Sequence, residues 1–278
     1  MPRWAAACAR CVRVIIRTAK KILNQRKSMT AQLADFFPAV ETALDSVPGL
    51  AIGTAVLPRS QATSWRSHSA ASVIVMCLHG RLRIDIDKPM YAADLVPGEL
   101  YTFPPNLTYR LAAPHCDVRF VLIRAGAPWD LSEASVAHMD REPFLRDEPA
   151  PRDNAFDGVV DDDLDAYRAG YTRVDVLARA DALRVLILGL GEKRCVPWHS
   201  HDHVADTFFC IDGPMRVITR NPDATNVLMP GETCRAHARQ PHFVSGTSGN
   251  ACLFLIVQGG GQYNYVPFKT SQMGQPLQ

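Results

Sequence analysis

Four residues in the last third of the chain, His199, His201, Asp206 and His242, have the types and the spacing of a metal site. Residues two apart on a β-strand leave the same face with α-carbons about 6.6 Å apart, so His199 and His201 can turn both imidazoles toward one ion. A turn over residues 202–205 would let the next strand begin with the Asp206 carboxylate pointing back, with Gly213 closing a hairpin seven residues later. His242 comes from a separate strand beyond the Pro230-Gly231 turn. Three imidazoles and one carboxylate leave an octahedral ion two open positions for water, substrate or oxygen. A lone strand histidine is ordinarily packed or solvated; the coincidence of four ligating groups carries the reading. His203 falls in the expected turn and His237 in a loop, so both read as local neighbours. By strand parity Phe208, Cys210 and Val244 form apolar walls beside the ion, suited to an aromatic or other weakly polar substrate.

The chain also contains itself twice. Trp65-Arg66-Ser67-His68 matches Trp198-His199-Ser200-His201, Gly80 matches Gly213, and Pro97-Gly98-Glu99 matches Pro230-Gly231-Glu232, all at an offset of 133 residues. From Trp65 to Glu99 eleven of 35 positions are identical, where chance supplies roughly two. Phe120 to Ile123 and Leu253 to Ile256 are expected to extend the same register. A duplicated domain follows.

Each copy reads as short strands: residues 73–78, 82–86 and 118–123 in the first, and 185–190, 207–211, 215–219 and 253–257 in the second. Gly80, Gly213, Asn221-Pro222-Asp223 and the two Pro-Gly pairs supply tight reversals and leave little room for long helices. The fold class expected is all-β, two tandem barrels of jelly-roll type. The boundaries expected are a basic leader or non-native extension over 1–28, a first barrel over 29–131, a linker with some helix over 132–175, and a second barrel over 176–278. Asp161-Asp162-Asp163 in the linker reads as a solvated helix start, since no Gly turn or spaced oxygen ligands follow.

The second copy resembles the cupin superfamily. That family's first motif has two His separated by one residue, three or four residues, a Glu, six residues and a Gly; here stand His199, His201, Asp206 and Gly213. Its second motif has a Pro-x-Gly or similar turn ahead of a third His, and here Pro230-Gly231-Glu232 precedes His242. Two departures are Gly191, eight residues before His199 rather than six, and Asp in place of Glu, whose stem is one methylene longer. The resemblance covers residues 180 to 265 strongly and 50 to 128 weakly. It implies a tandem cupin with a degenerate first copy.

On the first copy the four ligands map to Arg66, His68, Val73 and Tyr109. A guanidinium repels a cation, so this barrel is expected to be free of metal. Arg66, His68 and Tyr109 could hold an organic anion, or the barrel could be filled and kept for packing against its twin. A barrel of this sort also resembles the sensor domain of arabinose-type regulators, but no helix-turn-helix pattern follows, which disfavours DNA binding.

The net charge of +2 hides an asymmetry: residues 1–29 hold eight Lys or Arg and no acid, leaving the rest at −6. No general case for nucleic-acid binding remains. The leader, with Val12, Ile15, Ile16, Ala19, Ile22 and Leu23 on one helical face, is an amphipathic transit or surface helix, or lies ahead of a start at Met29. Its apolar runs are cut by basic residues, which excludes a spanning helix. Eight scattered cysteines, with only Cys8 and Cys11 as C-x-x-C, point to reduced thiols and a cytoplasmic protein, or one of an organelle matrix if the leader is an address.

Two functional classes remain open. The first is a metal enzyme on a small organic molecule, with Fe(II) or Mn(II) favoured over Zn(II) or Ni(II); the resemblance implies dioxygenation, decarboxylation or isomerisation, and an oxygenase is the favoured reading. The second is a non-catalytic binder in which the ion holds a ligand or staples the barrel. Homo-oligomerisation is left open.

Overall fold

The computed structural model describes residues 41–88, 90–126, 131–133 and 170–268. The leader, its C-x-x-C pair, the Asp161-Asp162-Asp163 run and the helix expected in the linker lie outside the described residues. Ten strands belong to the first half: β1 (Glu41–Val47), β2 (Leu50–Leu57), β3 (Arg66–Ser67), β4 (Ser72–His79), β5 (Leu82–Ile86), β6 (Tyr91–Leu95), β7 (Leu100–Phe103), β8 (Tyr109–Ala112), β9 (Val118–Ala125) and β10 (Ser132–Glu133). Ten belong to the second: β11 (Tyr171–Ala180), β12 (Leu183–Leu190), β13 (Cys195–Ser200), β14 (Ala205–Asp212), β15 (Met215–Thr219), β16 (Ala224–Leu228), β17 (Thr233–Ala236), β18 (His242–Gly246), β19 (Cys252–Gly259) and β20 (Val266–Pro267). The only helix among the described residues is a 3-10 turn at Thr247–Gly249.

All pairings are antiparallel and the two halves are topological copies. The first half stacks a sheet of order β1-β2-β9-β4-β7 on one of order β10-β3-β8-β5-β6; the second repeats this as β11-β12-β19-β14-β17 and β16-β15-β18-β13-β20. Both barrels fit the all-β expectation. The copy register needs one correction. Cys77 faces Phe120, but its equivalent Cys210 faces Phe254, so the offset grows from 133 to 134 before the last long strand. One residue is inserted in the connection that carries the 3-10 turn. A one-residue slip would turn every side chain of β19 to the wrong face; the insertion keeps Phe254 inside its barrel, as Phe120 is inside the first.

Strand alternation builds three apolar layers. On β4, Val73, Val75 and Cys77 fill the first barrel while Ile74, Met76 and Leu78 face outward. On β14, Phe208 and Cys210 fill the second barrel while Phe209 and Ile211 face outward. The two outward faces meet in one buried cluster, where Leu50, Ile52 and Val121 of the first half join Val185, Ile187 and Leu255 of the second. Each such side chain contributes roughly 1.5–3 kcal/mol on burial, so this layer welds the barrels together.

The repeated Pro-Gly-Glu turns serve that contact. Gly98 and Gly231 have φ of +86° and +87°, open to glycine at little cost. The Glu99 carboxylate accepts from the Val96 N–H at 2.9 Å, as Glu232 does from Met229 at 2.9 Å. A Cβ on Gly98 would lie 2.9 Å from Ile211 Cγ2 of the other barrel, so the first turn abuts the twin directly.

Candidate metal centre

The second barrel's two sheets face each other across the four residues singled out in the sequence. His199 and His242 are cross-strand partners on β13 and β18 of one sheet. Asp206 stands second on β14 of the opposite sheet, after bends at Asp202 and His203. His201 follows β13 directly. All four are buried, none more than 4% exposed, and a ligating atom from each lies within 4.8 Å of the others. His203 and His237 are exposed and take no part.

Hydrogen bonds decide which ring nitrogen faces the centre. The Nδ1–H of His199 donates to the Pro197 carbonyl at 2.8 Å, that of His242 to the Gln240 carbonyl at 2.9 Å, and that of His201 to the Asn264 carbonyl. With each Nδ1 engaged by backbone oxygen, each Nε2 lone pair is left for the interior, the arrangement by which a metal-ligating histidine is oriented. His201 Nε2 and His242 Nε2 each lie 3.2 Å from Asp206 Oδ2. The His242 nitrogen is buried and makes no hydrogen bond. Two imidazole nitrogens on one carboxylate oxygen, that of His242 without a hydrogen bond, need a positive charge between them, which a proton on His201 or a metal cation supplies, so the residues present fit a cation.

Electrostatics point the same way. Burial, helped by the neighbouring His242, drives His199 down to about 3, so its ring is neutral and able to ligate. Burial also works against the charged form of His201, but the hydrogen bond and charge of Asp206 outweigh it and raise that pKa. Burial alone would raise Asp206; the imidazoles of His201 and His242 instead carry it below the ordinary carboxylate range. The shorter stem of Asp therefore reaches the centre.

Sequence reasoning missed the shell around these residues. Asp206 Oδ1 accepts from the Gln258 amide at 3.0 Å, and Gln258 Oε1 accepts from Arg184 Nε at 2.5 Å. The Arg184 guanidinium lies 3.2 Å from the centroid of the Tyr263 ring. Tyr263 and Tyr265, after Gly259-Gly260-Gly261, pack on His201 at 4.9 Å and stack on His199 at 4.6 Å. Asn264 between them clamps the segment by two hydrogen bonds to Asp202, at 2.9 and 2.7 Å. The alternation Tyr-Asn-Tyr after three glycines was the available signal.

Of the walls expected by parity, Phe208 has its ring 5.9 Å from that of His242. Cys210 and Val244 lie in the same apolar cluster, two residues further along β14 and β18. A cavity of about 740 Å³ is lined by Arg179, Arg184, Gln258, Gln262 and Tyr263 among others and reaches the centre only through Gln258, Arg184 and Tyr263, not through the four residues themselves.

In the first barrel, Arg66, His68 and Tyr109 are brought together. Arg66 pairs with Tyr109 across β3 and β8, and His68 Nε2 lies 3.2 Å from the Tyr109 hydroxyl. Arg66 donates from Nε to the Ser64 carbonyl at 3.2 Å and from Nη2 to the Ser64 hydroxyl at 3.2 Å. Burial pushes the Tyr109 phenol well above its ordinary range against the pull of Arg66 and Arg124.

No protein-family model matches the sequence, and no curated protein does. Solved structures do match. A cupin 2 conserved barrel domain protein from Leptotrichia buccalis aligns with a TM-score of 0.51 and 13% identity, over 80% of this chain and 88% of that one. Oxalate decarboxylase from Bacillus subtilis at pH 4.6 aligns with a TM-score of 0.43 and 14% identity, over 83% of this chain and 74% of that one. Among the described residues, no helix is long and apolar enough to cross a membrane.

Proposed function

We propose that this protein, whose fold is that of the cupin superfamily, binds one divalent metal ion through His199, His201, Asp206 and His242 and acts with it as an oxygenase on a small organic molecule. The observation that carries the reading is that three buried imidazoles, each with its Nδ1 pinned, gather with one carboxylate within 4.8 Å, two of their Nε2 atoms lying 3.2 Å from Asp206 Oδ2. Fe(II) or Mn(II) held there would supply Lewis acidity and open positions for substrate and oxygen.

The chain's own groups supply the rest. His199, kept neutral, presents a lone pair at any physiological pH. The Tyr263 and Tyr265 rings cover His201 and His199 and limit water, and Phe208 gives an apolar floor. The cavity that meets Gln258 and Tyr263, the neighbours of Asp206 and His201, falls in the size range of small-molecule sites.

The near-complete burial of the four ligands favours a second reading, in which the ion holds a ligand or staples the barrel without turnover. Oxygen uptake by iron-loaded protein against a panel of small acids and phenols separates them. Uptake that stops in His242→Ala supports the oxygenase; tight ligand binding without turnover under any metal supports the binder.

A further inference from the structure

The inner face of β12, β19 and β14 carries one polar row at the mouth of the second barrel. Arg184 pairs with Gln258, and Gln258 pairs with Asp206, in direct cross-strand register. Beyond that row the same face is wholly apolar, with Leu186, Ile256 and Phe208 next in line. All three polar residues are buried, at 5%, 4% and 1% exposure. Such groups in an apolar barrel are costly unless their polarity is matched donor to acceptor.

The match here has only one sense. A guanidinium has no acceptor, so Gln258 must turn Oε1 to Arg184 and Nε2 to Asp206. The amide orientation is thereby set by chemistry rather than by choice of flip. Its consequence falls on the carboxylate: Oδ1 is taken by the amide N–H, and Oδ2 alone faces the imidazoles of His201 and His242.

We infer that Gln258, its amide locked by Arg184, is the positioning residue that confines Asp206 to a single ligating oxygen. The inference rests on the metal-centre reading above. A one-oxygen carboxylate keeps a coordination position from being closed by a second oxygen of the same residue, which preserves room for a ligand on the ion. Arg184 acts at one remove, through the amide.

Cobalt(II) titration of the full-length protein tests this, because the visible bands of Co(II) report ligand number apart from any activity. Gln258→Glu is the key variant: it keeps a partner for Arg184 but removes the donor to Asp206. Expected are a loss of about 10–100-fold in Co(II) affinity and altered band positions and intensities, with a lower metal-free melting midpoint, because the new carboxylate faces Asp206 with no proton between them. Gln258→Leu and Arg184→Met, which break the row from the middle and from the far end, should change the bands in the same direction and keep the test decisive if one variant misfolds. Wild-type affinity and unchanged bands in these variants would overturn the positioning role while leaving the metal site standing. Wild-type protein that gives no Co(II) bands at all would overturn both.

Discussion

Arg124 of the first barrel stands where Gln258 stands in the second: Arg124 pairs with Val73 across β9 and β4 as Gln258 pairs with Asp206 across β19 and β14. Together with Arg66 in place of His199, two guanidiniums occupy positions that surround the centre in the twin, and both are buried, at 3% and 2% exposure. The first barrel carries positive charge in its own side chains where the second gathers three imidazoles and a carboxylate that could hold an ion. Restoring only the ligands should therefore fail. Arg66→His, Val73→Asp and Tyr109→His in one chain should leave metal content at one ion, and adding Arg124→Gln should raise it toward two, as read by metal analysis after dialysis.

Acid should destabilise the metal-free protein through His199. Its ring titrates at 6.5 when unfolded but at about 3 when folded, so between those values the unfolded chain takes up a proton that the folded chain refuses, and stability falls as pH drops across the window. Asp206, also lowered, adds to the loss below its ordinary value of 3.8. His201 has the opposite sign: its raised pKa gives stability that is full below 6.5 and is lost as pH rises through the folded value. Urea midpoints of metal-free protein should fall from pH 5 to pH 4, where the His201 contribution is constant, and more shallowly in His199→Gln.

Metal binding should release a proton. His201 can donate to Asp206 from Nε2 only when protonated, because its Nδ1–H is already given to Asn264. An ion bound at Nε2 would take the place of that proton. Calorimetric titrations in buffers of different ionisation enthalpy near pH 6.5 should report proton release on binding and an affinity that weakens toward acid pH; a pH-independent affinity with no release would contradict it.

The tyrosines over the centre should slow exchange of the ion. Tyr265 stacks on His199 with an interplanar angle of 17°, and Tyr263 lies between His201 and Arg184. Tyr263→Ala with Tyr265→Ala should hasten metal loss to a chelator by about tenfold, in keeping with the effect of outer-shell contacts. Phe208→Ala, by contrast, leaves a hole against Phe254 and should cost about 3–5 kcal/mol in denaturant unfolding.

What the sequence revealed and what it withheld divide along physical lines. The convergence of His199, His201, Asp206 and His242 and the copied turns were legible because strand parity and tight reversals impose fixed local spacing, as at His199 and His201 or Pro230-Gly231. The extra residue near Thr247–Gly249 was not, because an insertion in a connection leaves the apolar run of β19 looking the same in either register. Gln258 and Arg184 were hidden for a further reason. They lie 52 and 22 residues from Asp206, and no short-range rule links residues that meet only after three strands have paired.

Metal content of the purified, metal-saturated and dialysed protein is the most direct measurement. About one divalent ion per chain is expected, lost in His199→Ala and His242→Ala and retained in His68→Ala. A wild-type chain that retains no ion, or one that retains nearly two, would contradict a single centre in the second barrel.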